Sequence, residues 1–291
     1  MRILITGVSG FIGGHLLAAS PEQHEVWGTY LENKPSHDPA RVLRVDLRDS
    51  VSLLAIVDGI KPDIIIHCAA HAKVSFCESS PGVAWEMNSR VTADLAALCE
   101  EQEIRLVFMS SDMLFDGIKG QFSEADPPNP LNFYGWTKLG AERRIRDCDG
   151  NSVIVRVNLT YGAPLNGGYS FSAEVIDAVK AGKPYHLYAD QFRSFISVKN
   201  LSQCIWELAL SDFTGIIHLG GAEATNRVAF AHKLAERLRL DESLLLATTA
   251  EAAAPQIPYP KNNTFDLHLA QKLLKTPLLD LEEGLALEYP V

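Results

Sequence analysis

The sequence predicts a doubly wound parallel α/β sheet with a smaller C-terminal unit. Strand-like and helix-like runs alternate six times within the first 160 residues, the rhythm of βαβ units. Two runs, "PDIIIHCAA" (62–70) and "IRLVFMSS" (104–111), are apolar almost throughout, as central strands covered on both faces must be. The first strand also leads directly into a glycine turn that opens the first helix.

Taken in order, "RILIT" (2–6) is a short β-branched run ending at Gly7, and "GFIGGHLLAA" (10–19) follows with helical apolar spacing. "HEVWGTY" (24–30) and "RVLRVDL" (41–47) read as the second and third strands. "SVSLLAIVDGI" (50–60) reads as a helix with Ser50 as its N-cap. After the strand at 62–70 come a long helix, "VAWEMNSRVTADLAALCEEQ" (83–102), and the strand at 104–111. A loop then leads to a helix around Tyr134 and to the strand "NSVIVRVN" (151–158). Beyond residue 160 the rhythm loosens. "NGGY" (166–169) and "ADQFRS" (189–194) read as loops, "AFAHKLAERLRL" (229–240) and "LHLAQKLLK" (267–275) as helices, and "AAAPQIPYPKNN" (252–263) as a connector. The expected division is a first domain at 1–160, rejoined by about 195–220, and a smaller one at 161–291 over the carboxyl ends of the strands.

With 47% hydrophobic and 21% charged residues, the chain can bury a core. Its formal net charge of −10 repels phosphate backbones, so nucleic acid is not an expected partner. No apolar run reaches the length of a membrane span, and "MRILITG" lacks the apolar stretch of a signal peptide. The five cysteines are odd in number, widely spaced and without a CxxC, which points to reduced thiols in a cytoplasm. Nine histidines without HExxH give no support for a metal site.

"TGVSGFIGG" (6–14) places Gly7, Gly10 and Gly13 between the first strand and first helix. Gly7 permits the tight turn, Gly10 lets a pyrophosphate approach the backbone, and Gly13 lets helix and strand pack closely. The phosphates of a dinucleotide would meet the unpaired N–H groups of the helix N-terminus. The absence of GK[ST] disfavours a triphosphate loop. In "NFYGWTKLGAE" (132–142), Tyr134 and Lys138 stand four apart, about one helical turn, so phenol and ammonium share a side. Spacing alone equally describes two surface residues on one face.

The GxxGxxG turn with a downstream YxxxK resembles the short-chain dehydrogenase/reductase superfamily. The chain length and C-terminal segment resemble its extended branch, which acts largely on nucleotide sugars. The resemblance covers nearly the whole chain and implies a Rossmann domain followed by a smaller substrate-binding domain. It implies a cofactor site built from Gly7, Gly10, Phe11, Ile12 and Gly13 in the turn, with Tyr30 and Lys34 after the second strand. Asp46 and Leu47 in "VDLRD" would lie beside adenine, Ala69 and Ala70 in "HCAAHA" would line the cofactor, and Asn88 matches the family's helix asparagine. Cys68 stands where the family has Asn.

"FMSSDMLFDG" (108–117) followed by "PNPLNFYGWTKLGAE" resembles the STDYVFDG and YGxSKLxGE block of dTDP-4-dehydrorhamnose reductases. The carry-over implies Ser111 as the hydroxyl residue, Tyr134 as the acid/base and Lys138 as the lysine. Reducing a ketone leaves charge on oxygen, so a proton donor must sit there. A free phenol titrates near 10, and the expectation is that the adjacent ammonium and the positive nicotinamide of the oxidised cofactor lower it. Ser111 would stabilise the developing charge, and Lys138 would also bond the cofactor ribose. Ser110 reads as a turn residue. Asp112 and Met113 are candidate substrate contacts; Met113 replaces the family's Tyr, and the missing Glu after Asp112 disfavours dehydration. "YADQFRSFISVKNLSQ" (188–203) resembles the reductases' DQ segment and makes Asp190, Gln191 and Arg193 candidate substrate contacts, although Phe195-Ile196 replace its Pro-Thr. "NNTFDLHLAQKLL" (262–274) resembles the closing segment of that family.

The expected function is NAD(P)H-dependent reduction of a keto-sugar, with a nucleotide-linked sugar as substrate. The second strand ends at Tyr30 rather than an acid, and Lys34 follows, so NADP is expected over NAD. Two rival readings stand beside it. One is a regulatory subunit like the methionine adenosyltransferase β-subunit, which resembles these reductases; the other is a sugar epimerase that retains NAD. A homodimer is the assembly left open.

Overall fold

The computed structural model describes residues 1–35, 41–148, 150–166, 169–253 and 256–290. Parts of the expected "NGGY" loop and of the 252–263 connector lie outside these described residues. The first half alternates as expected: β1 (Arg2–Thr6), α1 (Phe11–Ala18), β2 (Glu25–Tyr30), β3 (Val42–Arg44), α2 (Ser50–Ile60), β4 (Ile64–His67), α3 (Val74–Ser79), α4 (Pro81–Trp85), α5 (Val91–Glu101), β5 (Arg105–Ser111), α6 (Phe133–Asp147) and β6 (Ser152–Val157). The second half holds β7 (Thr160–Tyr161), α7 (Phe171–Lys180), β8 (Tyr185–Tyr188), β9 (Phe192–Arg193), β10 (Ile196–Ser197), α8 (Val198–Ala209), β11 (Gly215–Leu219), β12 (Thr225–Asn226), α9 (Arg227–Leu238), β13 (Leu245–Thr248), α10 (Ala250–Ala253), α11 (His268–Leu273) and α12 (Leu281–Glu288).

Seven strands form one sheet in the order β11-β6-β5-β4-β1-β2-β3, and every pairing in it is parallel. The chain winds outward from β1 to β3 and then returns to β4 on the other side of β1. The order therefore reverses between β1 and β4, and the carboxyl ends of those two strands splay into a crevice.

Alternate strand residues supply the two faces of the core. Ile3, Ile5, Ile64, Ile66 and Val107 pack with Leu16 of α1 and with Leu201, Ile205 and Leu208 of α8. Leu4, Ile65, Leu106, Phe108 and Ile154 pack with Leu53, Leu95 and Ile145 of α2, α5 and α6. A third cluster, including Tyr161, Phe171, Val175, Phe195, Phe230, Leu234 and Leu281, forms the core of the second lobe. No helix among the described residues is long and apolar enough to cross a membrane.

Several local expectations are corrected. Asp49, not Ser50, caps α2, its carboxylate accepting from the Val51 N–H. The 83–102 helix is interrupted by a π-helical turn at Glu86–Arg90, a device that re-aims side chains near functional sites. The strand runs at 41–47 and 62–70 stop at Arg44 and His67, which leaves Asp46 and Cys68–Ala70 in loops above the sheet. "ADQFRS" contains β9, which pairs antiparallel with β12. The expected 229–240 helix starts earlier, at Arg227.

Candidate active site

The glycine turn has the geometry its sequence implies. Gly7 sits at φ +73°, and a Cβ there would lie 2.7 Å from the Ala69 backbone, so only glycine fits the turn. A Cβ at Gly13 would strike the Gly7 carbonyl, which fixes the close packing of α1 on β1. Gly10 is the N-cap of α1 and offers no side-chain cap, so the first N–H groups remain available.

Directly above lies a cavity of about 450 Å³ at the strand-order reversal. Gly7, Gly10, Tyr30, Asp46, Leu47, Ala69 and Ala70 line it, as expected, together with Glu32, Arg48, Cys68 and His71. Lys34 does not line it. Phe11 packs edge-on against His15 and Ile12 packs against the core. Asp46 binds Arg48 through both carboxylate oxygens, at 2.9 and 2.6 Å, and that bond holds its carboxyl below the usual range.

Buried hydrogen bonds hold the crevice walls in register. The Thr92 hydroxyl donates to the Asn88 carbonyl at 2.8 Å, so it accepts from His67 Nε2 at 3.1 Å. That leaves His67 Nδ1 to accept from the Thr6 hydroxyl at 2.7 Å. Thr6 Oγ in turn accepts the Cys68 and Ala69 N–H groups. Burial pushes His67 down to about 3, so the ring is neutral and this single tautomer fits. The Asn88 amide bonds both backbone groups of His71 and also the Thr137 hydroxyl on α6, at 3.0 Å. The asparagine assigned to the cofactor thus spends its hydrogen-bonding groups on tying the β4 loop to the helix that carries Tyr134.

The three candidate catalytic residues converge at the carboxyl end of β5. Ser111 ends that strand; its Oγ accepts the Met113 N–H at 3.1 Å and donates to Asp112 Oδ1 at 3.2 Å. Asn132 caps α6 by accepting from the Gly135 N–H. A Cβ at Gly135 would strike the Met113 carbonyl, so the helix start lies flush on the Ser111 turn. Tyr134 packs with Val74, Cys77, Ala84 and Met113. Lys138 Nζ donates to the Met109 carbonyl at 2.8 Å and lies 4.6 Å from the centre of the Phe108 ring. Burial presses the ammonium down to about 8, with the neighbouring Cys68 thiol and Glu142 opposing the shift. Cys68 is the hinge of the site, lining the cavity while its thiol feels the Lys138 charge.

One electrostatic expectation is corrected. With the protein's own groups alone, the Tyr134 phenol is raised, not lowered: burial dominates, the Ser111 hydroxyl offsets it, and the nearby Asp112 and Cys77 add to it. The ammonium is turned toward the Met109 carbonyl instead. Tyr134 therefore enters the site as a phenol, the form that donates a proton.

Asp112 is buried beside Ser111, and burial raises its carboxyl, with Arg193 as the largest opposing influence. Its Oδ2 lies 2.9 Å from Arg193 Nε, without hydrogen-bond alignment. Arg193 is itself wholly buried, and its other nitrogens bond the carbonyls of Phe192, Pro260 and Lys261. It acts as a clamp between β9, Asp112 and the 260–261 loop. Gln191 is equally buried and accepts from Arg227 Nε at 2.7 Å.

Beneath the trio, Arg156 pairs with Glu142 through both carboxylate oxygens, and the Ser110 hydroxyl bonds the same carboxylate at 2.5 Å. Ser110 is therefore a strand residue that anchors α6, not a turn residue. Glu142 lies one turn beyond Lys138, and that i, i+4 spacing was the available sequence signal. The Thr6–His67–Thr92 chain carried no such signal, because its members lie far apart in sequence.

The chain matches the family described as RmlD substrate binding domain over residues 1–288. The probable low-salt glycan biosynthesis reductase Agl14 of Haloferax volcanii is 29% identical over 290 residues, 98% of this chain and 96% of that protein. Methionine adenosyltransferase 2 subunit beta of Xenopus laevis is 29% identical over 280 residues, 94% of this chain and 82% of that one. Among solved structures, a hypothetical dTDP-4-dehydrorhamnose reductase from Sulfolobus tokodaii superposes with a TM-score of 0.85 at 31% identity, covering 98% and 99% of the two chains. The dTDP-4-dehydrorhamnose reductase of Bacillus anthracis in complex with NADP superposes at 0.89 with 24% identity, covering 99% and 98%, a likeness of fold.

Proposed function

The chain belongs to the RmlD substrate-binding-domain family of NAD(P)-dependent nucleotide-sugar reductases, and on that premise we propose that it reduces a nucleotide-linked keto-sugar with Tyr134 as the proton donor. The observation that carries this reading is geometric: the start of α6, with Tyr134, lies flush on the Ser111 turn at the end of β5, Lys138 bonds the Met109 carbonyl, and Cys68 lines the cavity at the strand-order reversal.

The residues present fit a dinucleotide. The Gly7 turn is a cradle that a side chain would fill, and the α1 N-terminus is uncapped. Gly7 and Gly10 would hold the pyrophosphate, Asp46 and Leu47 the adenine edge, and Ala69, Ala70 and Cys68 the inner wall. The nicotinamide supplies a hydride when bound. Tyr134 passes its phenolic proton to the substrate oxygen, and Ser111 hydrogen-bonds that same oxygen as charge develops on it. Lys138 holds the ribose and compensates the phenolate left behind. In this proposal residues 1–160 and the returning 195–220 segment carry the cofactor, and the rest of 161–291 carries the substrate.

The test of the reading is steady-state NADPH oxidation with a panel of nucleotide-linked keto-sugars. Cofactor consumed and released in step with product supports a reductase. Tightly retained NAD with no net redox would replace it with the epimerase reading.

The proposed cofactor preference is NADPH. Tyr30, not an acid, ends β2, and the Arg48 guanidinium lines the adjoining wall. Glu32 lines the same cavity and opposes a 2′-phosphate, so the margin is expected to be small, about 1 kcal/mol as for an exposed ion pair. Arg48→Ala is expected to narrow the gap between NADPH and NADH, and Lys34→Ala to leave it unchanged. Equal affinities of the parent protein for both cofactors would reject this preference.

Lys138 adds a pH signature. With its ammonium pressed down to about 8, the group is charged below that pH and neutral above it. NADPH affinity, measured by fluorescence titration, is expected to weaken as pH rises past about 8. In Lys138→Met the inflection should vanish. A parent profile that stays flat from pH 6 to 10 would remove the lysine from the cofactor site.

A further inference from the structure

The donors buried in the crevice wall all run in one sense. Thr6 Oγ accepts the Cys68 N–H at 3.2 Å and the Ala69 N–H at 3.3 Å. Both of its lone pairs are then taken, so its proton must go to His67 Nδ1. That fixes the imidazole from the cofactor side: Nδ1 accepts, and Nε2 carries the hydrogen. The far side demands the same tautomer independently. The Thr92 hydroxyl is spent on the Asn88 carbonyl and can only accept from His67 Nε2. A neutral imidazole suits this place because it offers one donor and one acceptor on opposite sides of a rigid ring. The ring is fully buried and stacks on Phe108, 5.9 Å between centres. Lys138 Nζ lies against that same Phe108 ring.

The sense is kept beyond Thr92. The Asn88 amide donates to Thr137 Oγ at 3.0 Å, and the Thr137 hydroxyl donates to the Tyr134 carbonyl at 2.7 Å. Asn88 sits in the π-helical turn at Glu86–Arg90, which lets its side chain reach both His71 and α6. Thr6, Asn88, Thr92 and Thr137 are fully buried as well. His67, Thr92 and Thr137 do not line the cavity. The chain therefore begins at Ala69, on the cavity wall, and ends at the main chain of Tyr134, with each member oriented by the one before it.

We propose that His67 is a positioning residue that couples the cofactor wall to the catalytic helix: a dinucleotide seated against Ala69 fixes, through Thr6, His67, Thr92, Asn88 and Thr137, the first turn of α6 and with it Tyr134. This rests on the reductase reading of the site. The Asn88 step passes from a main-chain carbonyl to a side-chain amide, so the chain transmits position and carries no proton.

Thr92→Val and Thr137→Val test it, each removing one hydroxyl at nearly constant volume. Each should weaken NADPH binding, read by fluorescence titration, about 2- to 10-fold, the range for one hydrogen bond. Each should lower kcat by a similar factor and leave KM for the keto-sugar unchanged. The double variant should lose no more than the weaker single, because one break already disconnects the chain. His67→Phe, which keeps a ring on Phe108 and removes both bonds, should match them; if thermal melting shows it misfolded, the two threonine variants decide. Nitrogen NMR of the parent should show His67 protonated at Nε2 and bare at Nδ1. Losses that add in the double variant, folded variants with parent affinity and kcat, or the reverse tautomer would overturn the coupling and leave the reductase reading intact. A parent protein that neither binds NADPH nor reduces any keto-sugar would overturn both.

Discussion

Tyr134→Phe is expected to lower turnover about 10²- to 10⁴-fold, the usual range for removing a positioned general acid, while leaving the fold and the cofactor affinity nearly untouched. The ring packs against Val74, Cys77, Ala84 and Met113, and phenylalanine keeps all of that contact. Only the hydroxyl is lost. Because burial keeps the phenol protonated, the residue is poised to give a proton rather than to take one. Lys138→Met should instead damage both turnover and NADPH binding. Its stability should be preserved, since a methionine of similar volume replaces an ammonium that burial already disfavours. The two losses should not add in the double variant, because the residues act as one unit. The measurement is steady-state reduction of any accepted keto-sugar, with NADPH titrated separately. A Tyr134→Phe variant that turned over at the parent rate would make the trio ornamental. The non-catalytic reading, suggested by the likeness to methionine adenosyltransferase 2 subunit beta, would then take first place.

Gly10→Asp is expected to abolish dinucleotide binding while leaving the melting temperature at or slightly above that of the parent. The opposition of the two effects is what makes the experiment decisive. Gly10 has φ −77° and ψ 171°, extended backbone that any residue adopts. It is the N-cap of α1 and makes no side-chain cap. Aspartate is among the best N-cap residues, worth a few tenths of a kcal/mol over glycine. The same carboxylate would occupy the N–H groups meant for phosphate and repel the phosphate itself. A generic packing defect would lower stability and binding together. Gly13→Ala provides that contrast, because its methyl would strike the Gly7 carbonyl. Unchanged NADPH affinity in a folded Gly10→Asp protein would remove the cofactor assignment.

The elements that were legible in the sequence are those whose signal is local. The buried strands 62–70 and 104–111 were found because both faces are covered, although β4 itself ends at His67. The Gly7–Gly10–Gly13 turn was found because each glycine answers a steric demand within a few residues of itself. The placement of Ser111 at a strand end and of Tyr134 and Lys138 on the following helix was legible because those elements stand close in the chain. Residues of the cavity wall were less legible. Lys34 was named because it follows β2, yet Glu32 and Arg48 line the cavity instead.

By itself the sequence determined the doubly wound sheet, the position of the glycine turn and the side chains able to move a proton. These depend on periodicity and on covalent spacing, which the chain carries wherever it goes. Only the tertiary structure decided what those side chains do to one another. Burial raised the Tyr134 phenol and turned the Lys138 ammonium to the Met109 carbonyl. Packing made Asn88 a tie between the β4 loop and α6, and spent Arg193 on an internal clamp. It also set Arg227 against Gln191, which lies 36 residues earlier in the chain. The physical reason is that desolvation and hydrogen-bond competition depend on which groups share a space, and only the folded chain brings distant residues into that space.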